Sequence, residues 1–256
     1  MSRMPALQTN ASPEKIEMIR AFLGRFDGFK QQEEQSLPLL GRFLSRLMAE
    51  LPQLQEQERN WRRTTAPDFN VFRALHLERR ETKLHSRFLA ELLDPDGIHG
   101  QGDRFLTEFL DLAKRSGLRA PSEWPEPRYG MRLWETTTEE AVRESDRLDI
   151  VIRCRRASFI MVIENKIDAA EGIDQLSRYD GWLQEQKQDF DFRNLVFLTP
   201  NVREPKTISA GKCLGLSYRE HVTEWLRNMA NEIKPQQGLS HLHFAIDQYL
   251  ELLDSL

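Results

Sequence analysis

Apolar residues fall along this chain in two rhythms, and the change between them locates its elements. Residues 148–152 (LDIVI) and 159–163 (FIMVI) are apolar at almost every position and are separated by a basic, polar stretch at 153–158. Runs of this length and β-branched content predict two strands of a covered sheet joined as a hairpin. Residues 195–200 (LVFLTP) predict a further buried strand, and 211–218 predict a fifth. A first strand is expected at 128–138, with 139–145 as an acidic connector.

Elsewhere the spacing is helical. Ser12-Pro13 is an N-cap followed by a first-turn proline, so a helix is expected from there through Leu23, with Ile16, Ile19 and Phe22 on its stripe. Leu40, Phe43, Leu44 and Leu47 predict a second helix over 37–51, closed by Pro52, with a polar linker at 53–67. Asp68 is placed to cap a short helix reaching Leu77. Leu84, Phe88 and Leu92 predict a helix over 81–93, ended by Asp94-Pro95-Asp96-Gly97. Further helices are expected over 103–116, with Gly117 as its stop, and over 173–186, 219–232 and 239–253. The fold class is α/β: a mixed central sheet flanked by helices. Residues 1–67 read as an N-terminal helical extension and linker, and 68–256 as the main domain.

Composition narrows this reading. At 256 residues, 39% hydrophobic and 30% charged, the chain can bury a sizeable core and has the balance of a soluble globular protein. No run approaches the ~20 apolar residues of a membrane span. The N-terminus lacks a secretory pattern, so no membrane association and a cytoplasmic location are expected. Cys154 and Cys213 lie far apart and read as buried thiols. A net charge of −4 argues against a protein that coats nucleic acid electrostatically. Binding of phosphates is then left to local clusters: Arg62-Arg63, Arg79-Arg80, and Arg153 with Arg155-Arg156. Each cluster reads equally as a solvated face.

The candidate chemistry lies in the hairpin. Asp149 sits inside the first strand, and the second ends in Glu164-x-Lys166, whose charged residues share a sheet face. Carboxylates in so apolar a setting need a partner. If Asp149 lies across from them, two carboxylates and one ammonium converge at one end of the sheet. Such a set suits metal-assisted phosphodiester hydrolysis, with Mg²⁺ on hard oxygen ligands, Mn²⁺ able to substitute, and lysine stabilising developing charge. The plainer reading makes Glu164 and Lys166 exposed strand ends and Asp149 a turn or salt-bridge residue.

Asp149…Glu164-x-Lys166 on consecutive strands resembles the PD-(D/E)XK nuclease superfamily, the restriction-endonuclease-like fold, with Leu148 where many members carry proline. Gln175-x-x-x-Tyr179 resembles the motif that follows the lysine in many such nucleases. Glu81-x-x-x-His85-Ser86 and the residues through Phe105-Leu106 resemble the N-terminal half of its stand-alone bacterial branch. The resemblance covers about residues 69–200. It implies a Mg²⁺-dependent nuclease acting on nucleic acid, DNA before RNA. Asp149, Glu164, Glu81 and the backbone carbonyl of Asn165 would be its metal ligands, and Lys166 its charge-stabilising residue. Gln175 would brace the centre, Tyr179 would contact substrate backbone, and His85 would line the site. Glu81 reads equally as a first-turn dipole residue, His85 as a hydrogen-bonded core histidine, and Tyr179 as ordinary helix–sheet packing. The alternative is a catalytically silent nucleic-acid-binding or assembly module that keeps the fold. The N-terminal helices are expected either to pack on the nuclease core or to mediate self-association, which would make a homodimer.

Overall fold

The computed structural model describes residues 17, 18, 20, 21, 37–125, 132–143, 146–209 and 211–256. Glu17, Met18, Arg20 and Ala21 are helical; the rest of the helix expected from Ser12 to Leu23 lies outside the described residues. The chain divides into two compact units, one ending at Asp68 and the other spanning Phe69–Leu256.

In the first unit, helix α1 (Leu37–Thr65) does not stop at Pro52 but runs through it, and the expected linker is helical. One missing N–H costs about 3 kcal/mol in a helix interior. The run of Gln, Leu, Glu and Arg that follows consists of strong helix formers. Pairs one turn apart, Glu56 with Arg59 at 2.8 Å and Glu58 with Arg62 at 3.5 Å, add to them.

In the second unit, Asn70 rather than Asp68 caps the short α2 (Val71–Ala74), its side chain accepting from the N–H groups of Phe72 and Arg73. The helix expected over 81–93 is a π-helical turn, Glu81–Ser86, continued by α3 (Arg87–Leu93). In this wide turn the His85 N–H reaches the Arg80 carbonyl at 3.3 Å, five residues back. Helix α4 (Arg104–Arg115) follows and buries Phe105, Leu106, Phe109, Leu110 and Leu112. It ends at Gly117, whose φ of +107° suits the residue that lacks a Cβ.

The sheet has the order β1-β2-β3-β4-β5. Its strands are β1 (Glu135–Ala141), β2 (Arg147–Cys154), β3 (Phe159–Asn165), β4 (Phe192–Thr199) and β5 (Leu214–Ser217). β1, β2 and β3 pair antiparallel, and β3, β4 and β5 pair parallel. The parallel step from β3 to β4 requires a crossover, supplied by α5 (Gln175–Glu185). This is a mixed five-stranded α/β sheet with flanking helices, consistent with the restriction-endonuclease-like fold. β1 begins later than expected and includes Glu139–Ala141 of the predicted connector. It is an edge strand of Thr and Glu, half-buried and polar, so it carries no apolar alternation to mark its ends.

Both sheet faces are covered. On one, Ile150, Ile152, Phe159, Met161 and Ile163 join the apolar residues of α3, α4, α6 (Thr223–Ile233) and α7 (Ser240–Leu253). On the other, Val151, Ile160, Val162 and Phe197 meet Leu176, Tyr179 and Leu183 of α5. Burial on two faces explains why β2 and β3 read as continuous apolar runs.

Candidate active site

The hairpin register pairs Ile150 with Ile163, so the next position on each strand sets Asp149 opposite Glu164. Asp149 is half-buried, and its Oδ2 accepts the Asn165 backbone N–H at 2.8 Å. Glu164 is 1% exposed. Its Oε1 receives Lys166 Nζ at 2.8 Å and Gln175 Nε2 at 2.8 Å, whereas its Oε2 is buried with no partner. The expected convergence of Asp149, Glu164 and Lys166 is therefore present in the structure.

Their electrostatics follow from this crowding. Burial, and then the neighbouring Asp149 charge, push the Glu164 carboxyl up to about 8. Burial pushes Asp149 up to about 6, against the pull of the Asn165 N–H and of Lys166. Burial works against the Lys166 ammonium, yet Glu164 and Asp149 outweigh it and its pKa is raised. A protonated Glu164 could not also hold Lys166 up. The 2.8 Å separation is that of an ion pair, and the raised affinity for a proton belongs to the two carboxylates together. One ammonium does not neutralise both, and the pair draws in a proton or another cation near neutral pH.

The expected supporting residues divide. Gln175 braces the centre: its Oε1 accepts the Gly172 N–H at 3.0 Å and its Nε2 donates to both Glu164 and the Tyr179 hydroxyl. Tyr179 is 2% exposed, and its hydroxyl donates to the Arg147 carbonyl at 2.7 Å. The expectation that it touches substrate gives way to a role in fixing the start of β2. Arg178 strengthens the same junction through Asp146, at distances of 2.8 to 3.1 Å.

Glu81 lies on the inward face, as its spacing predicts, but its Oε1 takes the N–H groups of Ile167, Asp168 and Ala169 at 2.7, 3.1 and 3.1 Å. It thereby clamps the segment immediately after Lys166. His85 is fully buried rather than lining the site. Its Nε2 donates to the Glu78 carbonyl at 3.1 Å, so Nδ1 accepts from the Tyr249 hydroxyl at 2.8 Å. Burial lowers its pKa and keeps it neutral. Asn165 uses its side chain structurally, donating to Ser86 Oγ at 3.1 Å and accepting from Tyr218 at 3.0 Å. The residue as a whole is fully buried. Glu135, paired with Arg153 at the far end of β1, is exposed and away from Asp149.

Beside Glu81 opens a groove of about 560 Å³ lined by Arg79, Arg80, Thr82, Lys83, Asp168 and Ala169. Arg79 is held by Asp168 at 2.9 Å. Arg80 and Lys83 are exposed. Of the other basic clusters, Arg153 is tied to Glu140 at 2.8 Å and Arg62 to Glu58.

A family model of the PD-(D/E)XK nuclease superfamily matches residues 69–251. The chain belongs to that superfamily. The match extends beyond the hairpin motif to α6 and α7, and Tyr249 of α7 holds His85 in the Glu81 turn. No curated protein and no solved structure matches the chain. PD-(D/E)XK proteins are generally nucleases that use divalent metals on nucleic acid. Among the described residues, no group of three or more His, Cys, Asp or Glu side chains stands ready to hold a metal ion, and no helix is long and apolar enough to cross a membrane.

The donor set nevertheless fits a divalent cation. Two carboxylates share one ammonium, and one buried carboxylate oxygen, Glu164 Oε2, is orphaned. Such an orphan calls for a water or an ion. Mg²⁺ keeps several of its waters and needs only one or two protein carboxylates.

Proposed function

We propose that this protein hydrolyses phosphodiester bonds in DNA with the help of Mg²⁺, Mn²⁺ serving in its place. The observation that carries this reading is the pairing of Asp149 with Glu164 around a buried, unpartnered oxygen, with Lys166 alongside. Asp149, Glu164 and the Asn165 carbonyl would hold the cation, which supplies Lewis acidity and a more acidic bound water. Lys166 offers its charge to the oxyanion that develops on the phosphate. Gln175 keeps Glu164 in place, and Glu81 fixes the turn that carries Lys166, with its remaining oxygen a candidate for a metal-bound water. The groove lined by Arg79, Arg80 and Lys83 supports a polyanionic substrate, whose backbone would lie next to the carboxylates.

Plasmid, linear duplex and single-stranded DNA, and RNA, incubated with Mg²⁺ or with EDTA, test this. Mg²⁺-dependent cleavage of DNA that is lost in Lys166→Ala is expected. Equal inactivity of both proteins on every polymer would favour a non-cleaving nucleic-acid-binding module instead.

We further propose that residues 1–67 form an extension separate from the nuclease domain and working from the cytoplasm. Leu44, Met48 and Leu51 of α1, exposed along one stripe, support pairing of two copies through it. Light scattering of the full chain against Met48→Glu, expected to shift a dimer to monomer, tests the pairing.

A further inference from the structure

Glu139 occupies a backbone conformation that its neighbours do not explain. Its φ is +53°, in the left-handed region, in the middle of β1. The pairing runs unbroken on either side, with Thr138 opposite Ile150 and Glu140 opposite Leu148, so no extra residue has been inserted to force it. Strain of this kind persists only where the surroundings over-determine it, and it concentrates at functional sites.

Glu139 and Asp149 are the position skipped between the Thr138–Ile150 and Glu140–Leu148 pairs, and Asp149 and Glu164 follow the last pair of the next ladder, Ile150 with Ile163. Three acidic residues therefore occupy neighbouring positions on three adjacent strands. The next residue, Glu140, is fully engaged with Arg153 and Thr137. Glu139 differs: its Oε1 is buried and has no hydrogen-bond partner. That makes two orphaned carboxylate oxygens among these three residues, Glu139 Oε1 and Glu164 Oε2, the latter on a side chain only 1% exposed. Glu139 also adds to the negative charge that Asp149 feels. Glu139, Asp149 and Glu164 outnumber the Lys166 ammonium, an excess of negative charge that a divalent cation would offset.

We propose that Glu139 is a positioning residue for that cation, accepting a hydrogen bond from one of the cation's waters while Asp149 and Glu164 bind it directly. This rests on the cation reading given above. A water-bridged role agrees with the lack, among the described residues, of a third side chain in ligand position, and with the partial hydration that Mg²⁺ retains.

Mn²⁺ binding to the full chain without DNA, followed by the paramagnetic resonance of the free ion, tests this independently of cleavage. Glu139→Gln is expected to weaken Mn²⁺ about tenfold, the lower end of what outer-shell partners contribute. Glu135→Gln, an exposed change on the same strand, should leave affinity unaltered. Glu139→Gly relieves the backbone, so it should lose affinity equally while melting no lower than wild type in EDTA. The proposal is overturned if both position-139 variants bind Mn²⁺ within twofold of wild type while Asp149→Asn loses it. A Glu139→Gly protein that melts well below wild type assigns the residue to folding and also overturns it. Wild type that binds no Mn²⁺ removes the cation reading itself, an outcome distinct from either.

Discussion

Gln175 Nε2 and Lys166 Nζ converge on the same oxygen of Glu164, Oε1, each at 2.8 Å. The two donors fix the carboxylate so that its other oxygen is left unpartnered in the interior. Gln175→Ala removes one of them without touching charge. Its cleavage rate is expected to fall about ten- to a hundredfold, as for other outer-shell partners of metal ligands. Circular dichroism should show an unchanged fold.

The crowding of Asp149 and Glu164 sets a pH dependence. Together the two carboxyls are held above their ordinary values of 3.8 and 4.5, pushed up to about 6 and about 8 by burial and mutual repulsion. Raised carboxyls contribute stability at low pH that is lost as pH rises through the folded value. His85, lowered by burial, acts in the opposite sense below 6.5. The window in which the carboxylates act alone is therefore pH 6.5 to about 8. In EDTA the melting temperature should decline across it, and Mg²⁺ should restore it most at the alkaline end. Glu164→Gln should flatten the decline, melt higher than wild type in EDTA at pH 8, and cut no DNA. A melting curve that ignores both pH and Mg²⁺ in this window would contradict the shared-charge account.

Tyr179 and His85 distinguish support from chemistry. Tyr179→Phe loses the hydrogen bond to the Arg147 carbonyl and should cost about 1 kcal/mol of stability, with KM for DNA unchanged. His85→Ala empties a fully buried position and breaks two hydrogen bonds, so about 2–4 kcal/mol is expected. Below its lowered melting temperature the His85→Ala protein should still cut DNA with an unchanged pH dependence, because both ring nitrogens are engaged away from the carboxylates.

The Arg80 and Lys83 side chains offer a direct test of the groove. In Ca²⁺, used to hold cleavage back, the affinity of the double alanine variant for duplex DNA should weaken uniformly across sequences. The slope of log affinity against log salt should become shallower by about 2, one unit for each phosphate no longer neutralised. An unchanged slope would move the DNA elsewhere on the surface.

The hairpin was readable from the sequence because burial on both sheet faces writes itself as unbroken apolar runs at 148–152 and 159–163. It was equally readable that Glu164 and Lys166 share a face, since strand alternation decides it. The inward position of Glu81 followed from helical spacing, but its partners did not. Three N–H groups from residues 167–169 reach it only through the tertiary fold, and the π-helical turn beneath it has no composition of its own. Glu139 was hidden inside a supposed connector, because a polar edge strand leaves no apolar trace and a left-handed glutamate no signature. Pro52 misled by the opposite route: a strong local stop signal was overridden by thirteen helix-competent residues after it.

The Glu81 turn is anchored from far along the chain. Tyr249 holds His85, and Gln248 closes on Asn70 and Val71, at 2.6 Å through its carbonyl and 2.8 Å through its side-chain oxygen. A ribosome makes the two acidic strands some eighty residues before it makes these anchors. During synthesis the carboxylates can be in hand while the clamp behind Lys166 is still unsecured. Helix α7 therefore braces the Glu81 turn from behind, and a polypeptide that has made the hairpin but not yet α7 lacks that brace.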